Sequence, residues 1–225
     1  ITADELRNMI RGAIIGQLFG NLNGLEHEFK YNEKPGNVTS YTPDLSGGAR
    51  TDDDTDIEFP YIYNMKRSGK ILLPYSLVRD IWIESINDRI WCSNRYARKM
   101  MDLGIEPPHT GRIALNPWAD FNISGQLLCE SFGIITPGMP QTAGRVGTHY
   151  THVAIDGEPA QTTLFFDAVL ASAFFESDVM KLAQSGLASM DKASEQHDII
   201  TNVISWRQKN RDDWRATRQS IKESY

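Results

Sequence analysis

Asp52, Asp53, Asp54 and Asp56 place four carboxylates within five positions. Packed so tightly, like charges repel, and the cost is tolerable only if water solvates the run or a cation neutralises it. Gly47-Gly48 just before permits an unusual backbone path. Thr55 and Glu58 just after have the S/T-x-x-E spacing of a capping box, which predicts a helix start there. The acids then sit in a loop feeding a helix. Two readings stay open: a solvated helix entrance, favoured by the helix dipole, or a cation site. Oxygen donors of this kind suit Mg²⁺, Mn²⁺ or Ca²⁺ and not zinc. An EF-hand is excluded: counted from Asp52, the sixth residue is Ile57 instead of Gly and the twelfth is Tyr63 instead of Glu.

Other side chains with chemical potential are sparser. Glu28 lies in a polar loop and by itself reads as an ordinary loop carboxylate. His149 and His152 are three residues apart, too few ligands for a zinc centre and consistent with structural hydrogen bonding. Trp118, in a proline-rich stretch beside Asn116, is the tryptophan best placed to stack on a base, whereas Trp82, Trp91, Trp206 and Trp214 fall at helical spacings. Cys92 and Cys129 lie in apolar stretches and read as buried free thiols.

The elements that must position these residues read as helices throughout. Thr2 and Glu5 form a capping box opening a helix near Ala3, with Leu6, Ile10, Ala13, Ile14 and Leu18 on one face. Gly12, Gly16, Gly20 and Gly24 recur on that helix, and their cost of roughly 1 kcal/mol each predicts close approach of another backbone. Residues 26–50 read as a long loop. Helices follow over 56–66, restricted by Pro60, then over 76–87, 89–103, 121–132, 141–152, 158–175, 178–187, 194–209 and 211–222. The segment 158–175 is apolar nearly all round and predicts a central helix. Strand alternation is weak everywhere, so an α/β nucleoside hydrolase, whose acidic calcium loop looks similar, is disfavoured.

The chain has 225 residues, 40% hydrophobic, with a formal net charge of −6. One all-α domain over residues 1–225 is the expectation. The negative charge argues against non-specific nucleic-acid binding and anionic membranes. No apolar run approaches membrane-spanning length. The expected compartment is cytoplasmic, with a mature secreted chain as the alternative.

Several segments, in order, resemble the ADP-ribosylglycohydrolase family, which includes the dinitrogenase-reductase-activating glycohydrolases and the J1 crystallins. They are Arg11–Gly16 leading into Gly20–Phe29, Asp52-Asp53-Asp54-Thr55, Asn116-Pro117-Trp118, Asn122–Gln126, Pro137–Pro140, and Thr151-His152 followed by Asp156-Gly157. The resemblance implies a single compact orthogonal helical bundle holding two Mg²⁺ or Mn²⁺ ions. It also implies hydrolysis of the bond from ribose C1 of ADP-ribose, or a related ribosyl group, to a nitrogen or oxygen acceptor. By position, Asp52, Asp53 and Asp54 would be metal ligands, with Glu28 and Asp53 as the catalytic carboxylates. Asn122, Gly125 and Gln126 would line the ADP-ribose site, and His152 would face it. The family's late Asp-x-Asp-Thr cluster has no counterpart between Gly157 and Tyr225. The expectation is therefore a C-terminally incomplete domain completed by further polypeptide, or else a catalytically impaired relative that binds ADP-ribose or a protein partner.

Overall fold

In the computed structural model, which describes every residue except 41, 43, 49 and 50, the chain is all-helical, and no strand occurs among the described residues. The four exceptions belong to the loop expected over 26–50 and lie outside the described residues. Among the described residues no helix is long and apolar enough to cross a membrane. The chain divides into two compact units: residues 1–52 with 205–225, and residues 53–204.

In the first unit, α1 (Ala3–His27) begins at the expected capping box. The Glu5 N–H donates to Thr2 Oγ1 at 3.2 Å, and the Thr2 N–H donates to Glu5 Oε2 at 2.7 Å. The close approach predicted for its glycines is not found: a Cβ added at Gly12, Gly16, Gly20 or Gly24 would meet no described atom within 4 Å. No residue of α1 is fully buried. At the other end of the unit, α11 (Trp214–Ser224) holds the segment after α1 through its basic side chains. Arg215 donates to the Gly36 carbonyl at 3.0 Å, and Arg218 donates to the Asn32 carbonyl at 2.7 Å.

The second unit contains α2 (Asp53–Ser68), α3 (Tyr75–Ser85), α4 (Cys92–Asp102), a 3₁₀ turn at His109–Gly111, α5 (Ser124–Leu127), α6 (Glu130–Ile134), α7 (Pro140–Thr151), α8 (Glu158–Ser172), α9 (Val179–Ser189) and most of α10 (Glu195–Lys209). Its apolar core joins Ile57, Tyr61, Val78, Trp82, Phe132, Val146 and Tyr150. Phe132 and Tyr150 stack at 4.8 Å, and Tyr61 lies 4.5 Å from Tyr150. The Trp82 indole N–H donates to Tyr61 Oη, so this core ring keeps its polar atom paired. Tyr150 Oη donates to the Ile71 carbonyl at 2.5 Å and accepts from the Leu73 N–H at 3.1 Å, pinning the loop between α2 and α3.

Helix α8 is central, as its apolarity predicts: α5, α6, α7 and α9 all pack on it. The close backbone approach expected at α1 occurs here instead. Each of those four neighbours turns a glycine toward α8. A Cβ on Gly125 would strike the Pro159 carbonyl, on Gly133 the Leu170 Cβ, on Gly147 the Asp167 carboxylate and on Gly186 the Phe165 ring. Two boundaries also differ from expectation. The helix expected over 121–132 is broken into α5 and α6 at Leu128-Cys129, where both residues leave helical geometry. Cys92 opens α4 with φ +39° and is exposed, whereas Cys129 is buried as expected.

These two glycine environments predict opposite signs. Gly147→Ala overpacks the α7–α8 contact and should cost about 1–3 kcal/mol. Gly16→Ala, with open space at its Cβ, should stabilise by up to about 1 kcal/mol. Urea unfolding of the two variants checks both.

Candidate functional site

The head of α2 carries the acidic run. Asp53, Asp54 and Asp56 lie in its first turn, where the helix dipole favours negative charge. Asp53 and Asp54 are half-buried and Asp56 is exposed. The helix starts at Asp53, two residues before the expected capping box. Thr55 and Glu58 are consequently not cap residues: each is only 1% exposed. Glu58 turns inward to α6. Its Oε1 accepts the Ser131 N–H at 3.1 Å, and its Oε2 accepts the Ser131 hydroxyl at 2.6 Å. Because that amide sits at the start of α6, where helix amides have no intrahelical partner, the contact is a side-chain cap supplied from another helix.

Beneath this head lie more carboxylates. Glu130, the first residue of α6, is pushed up to about 8, chiefly by burial and then by the charges of Glu58 and Asp54. Asp167 on α8 is fully buried, and burial, followed by the charges of Glu58 and Glu130, raises it well above the usual carboxylate range. The Cys129 thiol is raised by the same combination, so it is an un-ionised, inert thiol. Sequence reasoning missed these three acids. Glu58 reads as a cap, and Glu130 falls unremarked in the helix expected over 121–132. A signal for Asp167 was present: it is the single charged residue between Glu158 and Glu176, in an otherwise apolar helix.

The remaining expected residues cluster around the loop before α5. Asn122 spends its side chain inside the protein. Its Nδ2 donates to Ser93 Oγ at 2.5 Å, and its Oδ1 accepts the Ser124 N–H at 2.7 Å. Asn116, fully buried, donates to the Ser93 and Thr110 carbonyls at 3.0 Å each and braces the same loop. Gly125 is buried under Pro159, and its carbonyl accepts the Thr163 hydroxyl at 2.6 Å. Thr163 pairs with Thr151 at 3.0 Å, next in chain to His152. Gly125 and the end of α7 that carries His152 are thus held to one another. His152 is partly exposed, with Nδ1 3.1 Å from the Ile155 carbonyl and 3.8 Å from Asp156 Oδ1. Trp118 on this loop and Gln126 on α5 are both exposed. His149 stacks on Tyr75 at 4.4 Å and bonds the Leu73 carbonyl through Nε2, a structural role.

Asp53, Asp54, Trp118, Asn122, Gly125, Gln126 and His152 all belong to the second unit, and Glu28 and Asp52 to the first. Glu28 is the exposed residue that ends α1. Among the described residues, no three His, Cys, Asp or Glu side chains gather closely enough to hold a metal ion. A separate open cavity of about 610 Å³ in the second unit is rimmed by Asp120, Glu158, Asp191 and Glu195. That rim disfavours an anionic ligand. Compared with family models, curated proteins and solved structures, the chain matches none.

The raised carboxyl of Glu130 gives a pH signature. Its folded value lies near 8, above the unfolded 4.5, so the folded state binds the extra proton between them. The stability it contributes is present below about pH 4.5 and is lost as pH rises through about 8. Glu130→Gln removes the titration. In metal-free buffer, the melting temperature of the variant relative to the parent should rise from about pH 5 to about pH 8, as thermal scans would show.

Proposed function

We propose that this chain is a metal-dependent hydrolase. It would cleave the glycosidic bond between ribose C1 of ADP-ribose, or a related ribosyl group, and an N- or O-linked acceptor, on a single compact orthogonal bundle of the ADP-ribosylglycohydrolase type. The observation that carries this reading is the half-buried Asp53–Asp54 pair at the head of α2, backed by further carboxylates. Cations bound there would screen the acids from an approaching diphosphate.

The donor chemistry fits. Asp53 and Asp54, with Asp52, offer the hard oxygen ligands that Mg²⁺ or Mn²⁺ prefers. Two such ions, when bound, would orient the ribose hydroxyls and make the attacking water more acidic. The protein's part is positioning and proton handling. Departure of the acceptor leaves oxocarbenium character at ribose C1, and water adds there. Glu28 would hold that water and accept its proton, and the departing N- or O-acceptor would take up a proton in turn, so that water is split between the ribose and the acceptor. Trp118 offers an exposed ring for the adenine, while Gln126 and His152 offer polar groups to the ribose and diphosphate. Asn122 and Gly125 shape the loop that presents them, because the Asn122 amide is already engaged with Ser93 and Ser124.

A second reading is a catalytically impaired relative that binds ADP-ribose or a protein partner. The absence of a gathered metal-binding trio among the described residues favours it. One experiment separates the two. Titration calorimetry with Mg²⁺ and ADP-ribose, beside hydrolysis of ADP-ribosylated substrates, should give metal binding and turnover in the parent. Both should be abolished in Asp53→Ala/Asp54→Ala. Full activity in that double variant would refute the assignment, and ADP-ribose binding without turnover in the parent would select the second reading.

A further inference from the structure

The Asp167 carboxyl is the least compensated polar group in the second unit. It is fully buried, and neither of its oxygens completes a hydrogen bond. A buried carboxylate in that state is too costly to persist ionised. The groups facing it offer no positive charge. From α2 comes Glu58, and from α6 comes Glu130 with the Cys129 thiol just before it. The Gly133 amide alone favours the ionised form. On α5, α7 and α9 the residues set against α8 include Gly125, Gly147 and Gly186, which carry no charge. Among the described residues no three acidic, His or Cys side chains gather as a ligand shell, which leaves a proton as the simplest neutralising species.

We propose that Asp167 is a buried pH latch: its carboxyl carries a proton while α6 and α7 are packed against α8, and transfer of that proton to solvent loosens the packing. Gly147 is what makes the latch tight, since α7 lies directly on the carboxyl and leaves no room for hydration. Once Asp167 ionises, it faces the Glu58 and Glu130 charges at close quarters, and relief requires water to enter between the helices. Glu58 lies one turn along α2 from Asp54, so opening also frees the helix that carries the acidic head. The inference does not depend on metal binding or hydrolysis.

The sign follows from proton linkage. Asp167 holds its proton more tightly folded than unfolded, so it contributes stability in acid that is lost as pH rises. Infrared spectroscopy of the parent at neutral pH should show the carbonyl stretch of a protonated carboxylic acid shielded from exchange, with lower intensity in Asp167→Asn. The urea midpoint of the parent should fall between about pH 6 and about pH 9, and Asp167→Asn should flatten that fall. A parent spectrum without a shielded carboxylic-acid band overturns the proposal, and this holds even if the variant does not fold. An unchanged pH slope in Asp167→Asn also overturns it. So does a rise in the alkaline midpoint with Mg²⁺ or Mn²⁺ that Asp167→Asn abolishes, because the neutralising species would then be the metal.

Discussion

The constraint behind the second unit is the burial of the Asp167 carboxyl among other carboxylates. Asp54, Glu58, Glu130 and Asp167 form a sequence of carboxylates from the half-buried head of α2 to the interior of α8. The charges that act on Glu130 and Asp167 are negative, and each raises them further. Burial among these carboxylates therefore favours the protonated forms of Glu130 and Asp167. Glu58 accepts from both the Ser131 amide and the Ser131 hydroxyl. Neither Asp167 oxygen completes a hydrogen bond, and the proposed pH response rests on this carboxyl.

The packing of α8 makes that arrangement possible. Large aromatic residues on this helix are only partly buried, whereas Ala160, Thr163, Asp167, Ala168 and Ala171 face inward and are buried. Small residues on α8, matched by glycines on its four neighbours, bring backbones close and leave no space for water around Asp167. A central helix that buries its small face and leaves its large one half-exposed is the reverse of what apolarity alone suggests.

This explains which features were legible in the sequence. Helix positions followed from apolar spacing, and the Thr2–Glu5 cap formed as its residue types dictate, because both signals are local. The Thr55–Glu58 pair has the same spacing but a different outcome. Its glutamate finds a tertiary partner in Ser131, 73 residues away, which spacing cannot encode. The α1 glycines and the α8-facing glycines are likewise indistinguishable by type, since only the neighbour decides which are needed. For the candidate site, the aspartate run and the Asn122–Gln126 loop were legible as chemistry. The Asn122 amide reads as ligand-facing in sequence, yet Ser93 and Ser124 occupy it within the fold. The half-buried Glu130 and the fully buried Asp167 stayed hidden because their role arises from their tertiary surroundings.

The proposed activity rests on cations meeting the acidic head of α2. Anomalous scattering from crystals of the protein grown with Mn²⁺ addresses this most directly. The account predicts a manganese peak within coordinating distance of the Asp53 and Asp54 carboxylates. Well-ordered side chains at both positions with no peak beside them would contradict it.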